Sequence, residues 1–333
     1  MIFKKNKIFL VAEIGNNHEG NFFTAKKLIS EAAKAGADAV KFQTINPENF
    51  YFHKEKKRIR TLKKFQFSIR QFKLLSIHAR KKKIIFFSTP FDIDSAVELN
   101  KFQSIFKVSS GDNNFFTLIE KIAHFKKPII ISTGFANTRL LKQIQRKIIK
   151  IWKKYKIKKE LCFQHCVSDY PTMHCDANIN VIPNLKKHFP ECIVGYSDHT
   201  KGIEVAKLAI LSGARIIEKH FTLSKTFSSF RDHAISADPK EMKQLSDYIK
   251  YLPDLLGNGA IELQDNEKKN FKNLRRSIYA SRDIAKSEKI SLNNINFLRP
   301  ELGISVDNVK KVIGKFARKN IKKGDVLRFS KFK

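Results

Sequence analysis

Short apolar runs alternate with longer segments of helical periodicity from residue 8 to about residue 250. The runs are rich in β-branched and aromatic residues, which is typical of buried strands. Eight strands are predicted, at 8–14, 38–43, 84–88, 104–108, 128–132, 161–165, 192–196 and 215–220. The predicted helices are 24–35, 71–82, 94–99, 115–124, 138–155, 179–188, 203–211 and 239–251. Eight βα units in series predict an α/β fold, a closed (β/α)8 or TIM barrel.

The pattern changes after the eighth unit. A polar stretch at 257–273 is predicted to be a linker between a barrel domain, 1–256, and a small domain, 274–333. Within the small domain, segments 282–290 and 319–327 resemble each other and start thirty-seven residues apart. Tight polar turns and one predicted helix near 306–313 complete the pattern. The sequence therefore predicts a β-rich module with an internal pseudo-repeat.

The composition is that of a globular protein with excess positive charge. Of the 333 residues 42% are hydrophobic, and no run of eighteen apolar residues is present to span a membrane. The 65 Lys and Arg against 31 Asp and Glu give a formal charge of +34, which raises a nucleic-acid or membrane hypothesis. Lysines are spread along the whole chain, without a recognition helix, zinc-finger spacing or RNA motif. We therefore expect a solvated basic surface, no nucleic-acid or membrane partner, and some attraction for an anionic substrate.

Two features bear on location. The apolar run at 8–12 is too short for the core of a signal peptide and is followed at once by Glu13. The four cysteines form no C-x-x-C pair, so reduced thiols in a cytoplasmic protein are expected. Cys166 follows His165, but no Asn or Asp partner is evident, and we interpret Cys166 as a packing residue.

Polar side chains follow the predicted strands, at the carboxyl ends where barrel enzymes place their chemistry. Lys41 and Lys107 are predicted to point into one mouth, where two ammonium groups and nearby hydroxyls form a cradle for phosphate or carboxylate. The hydroxyls are those of Ser88, Thr89, Ser110, Ser132 and Ser197. A surface salt bridge is the alternative for a single such lysine, and the pair favours ligand binding.

Two histidines predict a metal site. His199 and His220 end the seventh and eighth strands, which are neighbours in the barrel, so both imidazoles can reach one divalent ion. Because no thiolate joins them, Mn²⁺ or Mg²⁺ is expected rather than a closed zinc site. Glu13 ends the first strand, beside the eighth, and is a candidate base for a water molecule. The alternative for Glu13 is a buried acid paired with Lys41, and the two roles are compatible.

Seven segments together resemble the sialic acid synthases, which are phosphoenolpyruvate-dependent sugar-acid synthases, and the resemblance covers the whole chain. These segments are 12–20 (AEIGNNHEG), 40–44 (VKFQT), 88–91 (STPF), 107–111 (KVSSG), 197–200 (SDHT), 218–222 (EKHFT) and 297–300 (FLRP). The last of them lies in the C-terminal module, which is similar to the antifreeze-like (SAF, β-clip) domain of that family.

The resemblance implies that C3 of phosphoenolpyruvate attacks the aldehyde carbon of open-chain N-acetylmannosamine, water adds at C2, and phosphate leaves by C–O cleavage. It implies an N-acetylneuraminate synthase with Glu13 as base and a metal at His199 and His220. The positions that match phosphoenolpyruvate contacts are Lys41, Lys107, Ser110 and Ser197. Those that match sugar contacts are Gln43, Tyr170 and Asp232, and Phe91 lines the same pocket. Arg299 matches an arginine that enters the partner's barrel, which implies a domain-swapped homodimer.

Two positions depart from the family pattern. Asp112 stands where a glutamate that meets the reacting end of the sugar is expected, and Ser168 stands where asparagine is common. A side chain one carbon shorter withdraws its carboxylate by about 1.5 Å, and a misplacement of ~1 Å can lower a rate roughly a hundredfold. The sugar is therefore open between N-acetylmannosamine and the diacetamido-trideoxy hexoses that lead to legionaminic or pseudaminic acid. A polyanion-binding protein and an inactive family member are the remaining alternatives.

Overall fold

The computed structural model describes residues 2–3 and 7–333. Met1 and residues 4–6, which include the basic start of the chain, lie outside the described residues. The chain divides into two compact units, Met1–Leu255 and Leu256–Lys333. Within the described residues, none of the helices has both the length and the apolar character needed to cross a membrane.

The first unit contains a parallel eight-stranded sheet. Its strands are β1 (Phe9–Gly15), β2 (Ala39–Thr44), β3 (Ile85–Pro90), β4 (Phe106–Val108), β5 (Ile129–Ser132), β6 (Leu161–Cys166), β7 (Ile193–Asp198) and β8 (Ile216–His220). The hydrogen-bonded order is β3-β2-β1-β8-β7-β6-β5-β4, and β3 packs beside β4, so the barrel is nearly closed. This confirms the predicted (β/α)8 fold, and each predicted strand overlaps an observed one.

The helices surround the sheet. They are α1 (Phe22–Ala35), α2 (Pro47–Phe50), α3 (Lys56–Lys63), α4 (Ile69–Lys81), α5 (Ile93–Leu99), α6 (Phe116–His124), α7 (Thr138–Lys154), α8 (Val181–His188), α9 (Glu204–Leu211), α10 (Asp232–Ile235) and α11 (Pro239–Leu256). Side-chain caps start several of them: Asn21 accepts from Thr24 N, and Ser68 forms a capping box with Gln71. The eight predicted helices are present, and the short helices α2, α3 and α10 were not predicted.

Two apolar layers hold the barrel together. Alternate residues of each strand face outward and pack against the helices, as Leu10, Ala12 and Ile14 of β1 do. The inward residues below the mouth form a separate cluster that includes Phe9, Val11, Phe87, Ile130 and Cys162. Because this cluster fills the lower barrel, the inward side chains at the upper strand ends form the floor of a cavity.

The second unit has its own core and short strands. After α12 (Asp265–Lys268) and α13 (Phe271–Leu274), β9 (Ser277–Ala280) pairs antiparallel with β10 (Ile295–Leu298). The two segments of the predicted pseudo-repeat pair with each other: Ile284 and Ile321, thirty-seven residues apart, exchange both backbone hydrogen bonds, at 2.8 and 2.9 Å. A 3-10 segment, Val306–Lys311, replaces the predicted helix, and the stretch predicted to be a linker contains two one-turn helices.

Candidate active site

A cavity of about 600 Å³ opens at the carboxyl ends of the strands. Fifteen of the sixteen predicted site residues line it: Glu13, Lys41, Gln43, Thr89, Phe91, Lys107, Ser110, Asp112, Ser132, Ser168, Tyr170, Ser197, His199, His220 and Asp232. Arg299 follows β10 in the second unit, where its side chain is exposed. The strand register explains the grouping, since Glu13 pairs with Lys41 on one side and with His220 on the other.

Two carboxylates and two ammonium groups form the cavity floor. Lys41 Nζ lies 2.9 Å from Glu13 Oε2 and 3.5 Å from Glu218 Oε1, and Lys107 Nζ lies 2.9 Å from Glu218 Oε2. Lys107 also donates to Gln164 Oε1, and Ser197 Oγ donates to Glu218 Oε1 at 3.0 Å. All four charged side chains are at least 94% buried. The two lysines are therefore not a free cationic cradle, because each already has an anionic partner.

Burial and charge act differently on the two acids. Burial raises the pKa of Glu13, although the nearby Lys41 ammonium opposes this. Burial acts in the same direction on Glu218, but Lys107 and Lys41 outweigh it and hold the pKa of Glu218 at about 2. Glu218 is thus a permanent counterion of the lysines. Glu13 is the acid of the pair whose environment suits it to accept a proton.

Two imidazoles stand beside this cluster. The rings of His199 and His220 have centroids 5.5 Å apart, and Tyr170 stacks on His199 at 4.2 Å. His199 Nδ1 lies 2.7 Å from the Val167 carbonyl oxygen, which can only accept, so Nδ1 donates and the lone pair of a neutral ring is on Nε2. Burial places the pKa of His220 well below its usual value, so its ring is neutral. His220 therefore has the neutral form that metal ligands require. Burial opposes protonation of His199 as well, but its hydrogen bonds to Cys166 and Val167 outweigh burial and raise its pKa.

The charge count of the cavity also favours a cation. Lys41, Lys107 and Arg231 are the cationic lining residues, and Glu13, Glu218, Asp112 and Asp232 are the anionic ones. With neutral histidines the lining carries a formal charge of −1, which does not attract an anion. Across the described part of the chain no group of three or more His, Cys, Asp or Glu side chains could hold a metal ion. Among the described residues that line the cavity, the imidazole donors are those of His199 and His220, and two such ligands would leave positions for water and substrate around an ion.

One wall of the cavity is aromatic. The segment between β2 and α4 contributes Phe50, Tyr51 and Phe65, and the segment after β8 contributes Phe230. Phe50 packs on Phe91 with ring centroids 5.1 Å apart, and Phe65 meets Phe230 at 5.2 Å. The second of these contacts joins the two segments beside the mouth. These rings give the cavity an apolar surface in addition to its charged floor.

Several cavity residues were not predicted. Glu218 lies in the resemblance segment 218–222 but was given no role, and its ionic partner Lys107 is 111 positions away in the chain. Cys166 was interpreted as a packing residue. It is buried but lines the cavity, 3.3 Å from Ser110 Oγ and 3.8 Å from His199 Nδ1. The aromatic wall was not predicted from sequence. Its residues Phe50, Tyr51 and Phe65 flank helix α3, which has no buried residue and so no hydrophobic pattern that would indicate packing there.

The fold and the site define a class, that of (β/α)8-barrel enzymes acting on small polar molecules at the strand ends. Residues 28–261 match the model of the NeuB family, and residues 275–333 match the SAF domain. The chain is 37% identical to N,N'-diacetyllegionaminic acid synthase of Campylobacter jejuni, covering 97% of this chain and 99% of that one. It is 35% identical to a pseudaminic acid synthase of the same organism, covering 98% and 97%.

A solved structure is also similar. It is that of N-acetylneuraminic acid synthetase from Leptospira borgpetersenii in complex with citrate, with 38% identity, a TM-score of 0.72, and coverage of 80% of this chain and 90% of that one. The chain belongs to the NeuB family of nonulosonic acid synthases and is an enzyme of the condensing type. This confirms the resemblance on which the sequence prediction rests. The relatives make legionaminic or pseudaminic acid a product at least as consistent with the comparisons as N-acetylneuraminate.

Proposed function

We propose that this enzyme condenses phosphoenolpyruvate with a 2,4-diacetamido-2,4,6-trideoxyhexose, releasing phosphate and forming a nonulosonic acid of the legionaminic type. The observation that carries the proposal is the cavity itself, which is lined by both a buried acid–lysine cluster and an aromatic wall. Compared with N-acetylmannosamine, such a sugar has a methyl group at C6 and an acetamido group at C4. The C6 methyl and the methyl of the C4 acetamido group are apolar surface that aromatic rings bury favourably, while the amide of that group needs hydrogen-bond partners.

Different residues are assigned to the two substrates. Lys41, Lys107, Ser110 and Ser197 bind phosphoenolpyruvate, with Thr89 and Ser132 beside them. Gln43, Phe91, Tyr170 and Asp232 contact the sugar, and Asp112 and Ser168 complete its reacting end. As C3 of phosphoenolpyruvate bonds to the aldehyde carbon, water adds at C2 and gives a proton to Glu13. The alkoxide formed from the aldehyde oxygen takes up a proton. The C2–O bond to phosphate then breaks with its electron pair leaving on phosphate, while the hydroxyl at C2 gives up its proton and becomes the ketone oxygen.

Mn²⁺ or Mg²⁺ is proposed at His199 and His220. A divalent ion supplies Lewis-acid polarisation of a carbonyl oxygen when bound. It also changes the formal charge of the lining from −1 to +1, which favours binding of an anionic substrate. The buried Nδ1 of His220 finds no hydrogen-bond partner among the described residues, so no internal contact competes for that ring nitrogen.

Removal of the ion is expected to abolish phosphate release, and added Mn²⁺ or Mg²⁺ is expected to restore it. Equilibrium dialysis of the chelator-treated protein with Mn²⁺ gives a readout independent of turnover. We expect His199→Ala and His220→Ala to weaken binding by about tenfold or more. The control is His165→Ala, because His165 is buried nearby on β6 but bonds the Ala177 carbonyl and does not line the cavity. Full activity in chelator would exclude the metal role.

The sugar substrate is identified by separate incubations with each candidate. The enzyme, phosphoenolpyruvate and Mn²⁺ are incubated with N-acetylmannosamine or with either diacetamido-trideoxyhexose, and the nine-carbon product is identified by mass. An apolar group in a hydrophobic pocket discriminates by roughly 10–200-fold, so we expect kcat/KM to be at least about tenfold higher for the legionaminic precursor. Preference for N-acetylmannosamine would instead support the N-acetylneuraminate synthase predicted from sequence.

The partner subunit is the remaining part of the proposal. We propose a homodimer in which Arg299 of one chain reaches the cavity of the other, as the family resemblance implies. The support is the exposure of Arg299 and the formal charge of the cavity, which a further cation would raise. The cytoplasmic location stays a prediction from sequence.

A further inference from the structure

The segment between β8 and α11, residues 221–238, brings Phe230, Arg231 and Asp232 to the cavity. It is long and includes only one turn of helix, α10. Its position therefore depends on contacts with neighbouring segments. Those contacts come largely from the turn between β1 and α1, which contains Asn17 and Glu19.

The first contact runs through Asn17. Its side-chain amide donates to the Phe221 carbonyl and to Ser236 Oγ, both at 2.9 Å. Ser236 Oγ in turn donates to the backbone carbonyl of Asp232 at 2.6 Å. Asn17 and Ser236 are each 1% exposed, so water does not compete for these bonds. Asn17 thus fixes both ends of the segment and, through Ser236, the backbone of Asp232.

The second contact runs through His233, which follows Asp232 directly. Its Nε2 lies 3.0 Å from Glu19 Oε1, and its Nδ1 lies 2.6 Å from Thr222 Oγ1. Ser228 Oγ also donates to Glu19 Oε1. His233 is 1% exposed and contacts the ring of Phe230, with centroids 6.0 Å apart. One imidazole therefore joins the turn after β1, the end of β8 and the cavity-lining segment.

The backbone around Glu19 supports a specific role. Glu19 has φ 47°, a left-handed conformation that residues other than glycine seldom adopt. The next residue, Gly20, has φ 77°, and a Cβ there would lie 2.0 Å from the Lys64 carbonyl oxygen. The turn is thus held in a strained form that points the Glu19 carboxylate at His233. Neither Glu19 nor His233 lines the cavity.

We propose that Glu19 and His233 are positioning residues that hold residues 221–238 against the barrel and thereby set the sugar-binding half of the cavity. The inference rests on the proposed function, because Asp232 and the aromatic wall are assigned there to the sugar. We call Asn17, Glu19, His233 and Ser236 the latch. The phosphoenolpyruvate half of the cavity is formed by residues on other strands or on the loop after β4, namely Lys41, Lys107, Ser110 and Ser197. We therefore expect substitutions in the latch to leave phosphoenolpyruvate binding unchanged.

The test separates the two halves of the cavity by steady-state kinetics. Glu19→Ala removes the carboxylate and is expected to raise KM for the sugar by about ten- to a hundredfold, since a shift of ~1 Å has effects of that order. KM for phosphoenolpyruvate is expected to stay unchanged. Glu19→Gln keeps an acceptor oxygen for His233 and should recover most of the sugar affinity. The matched control is His78→Ala, which removes a 3.0 Å histidine–hydroxyl bond to Ser30 on the outer helices.

Hydrogen exchange gives a second readout that needs no turnover. Residues 223–236 are expected to exchange faster in Glu19→Ala than in the unaltered protein, while 69–81 stay unchanged. A rise in KM for both substrates, or an unchanged KM for the sugar, would overturn the proposal. If the unaltered enzyme forms no product with any of the sugars, the proposed function fails. Equal exchange in the two proteins would then refute the latch on its own.

Discussion

Glu13→Gln is expected to lower kcat for phosphate release by about 10²–10⁴-fold, the usual contribution of a general base. Glutamine keeps the length of the side chain and can still accept the 3.0 Å hydrogen bond from Gln43 Nε2. What it removes is the negative charge 2.9 Å from Lys41 Nζ and the capacity to take a proton. Steady-state and single-turnover measurements with saturating substrates separate this loss from weaker binding.

Glu218→Gln is the matched control for that experiment. It removes the same formal charge from the same buried cluster, but Glu218 has two lysine partners and a pKa of about 2, so it is a counterion rather than a base. We expect Glu218→Gln to change mainly the KM for phosphoenolpyruvate, because Lys41 and Lys107 both lose an anionic partner. If the two variants lost kcat equally, charge balance would explain the loss, and Glu13 would not be the base.

The barrel and most of the site could be predicted from sequence because both follow from local rules. Strands such as Ile129–Ser132 are runs of β-branched residues, and closure of eight βα units brings every strand end to one mouth. That is sufficient to place Glu13 beside His220 before any coordinate is known. The adjacency of these two residues is confirmed by their pairing in the β1–β8 ladder.

The features that were not predicted depend on long-range contacts. Helix α3 is basic and has no buried residue, so neither its periodicity nor its composition indicates that its neighbours form a cavity wall. The pairing of Lys107 with Glu218 crosses half the barrel, and no spacing in the sequence encodes it. The lysines were therefore predicted to be free for an anion, whereas the structure gives each an internal carboxylate. The cavity lining, with a formal charge of −1 when its histidines are neutral, therefore attracts an anion less than the sequence alone indicated.

Lys219→Met is expected to destabilise the barrel by about 3–5 kcal/mol, the usual effect of removing one partner from a buried ion pair. Lys219 Nζ lies 3.0 Å from Asp198 Oδ2, and both side chains are fully buried. Because residues alternate along β8, Lys219 faces away from the cavity that Glu218 and His220 line. Urea unfolding followed by the fluorescence of Trp152, the single tryptophan and a buried residue of α7, reports on the barrel unit.

A double-mutant cycle with Asp198→Asn tests whether this loss of stability comes from the charge pair or from packing. Asp198 Oδ1 also accepts from Thr200 N at 2.8 Å and Thr200 Oγ1 at 2.7 Å, so asparagine keeps an acceptor there while losing the charge. The double variant should therefore lose less stability than the sum of the single variants, by about 0.5–3 kcal/mol. Strict additivity would show that Lys219 stabilises the barrel by packing. A positive coupling would show that the charge pair itself holds β7 against β8, and with it the spacing of His199 and His220.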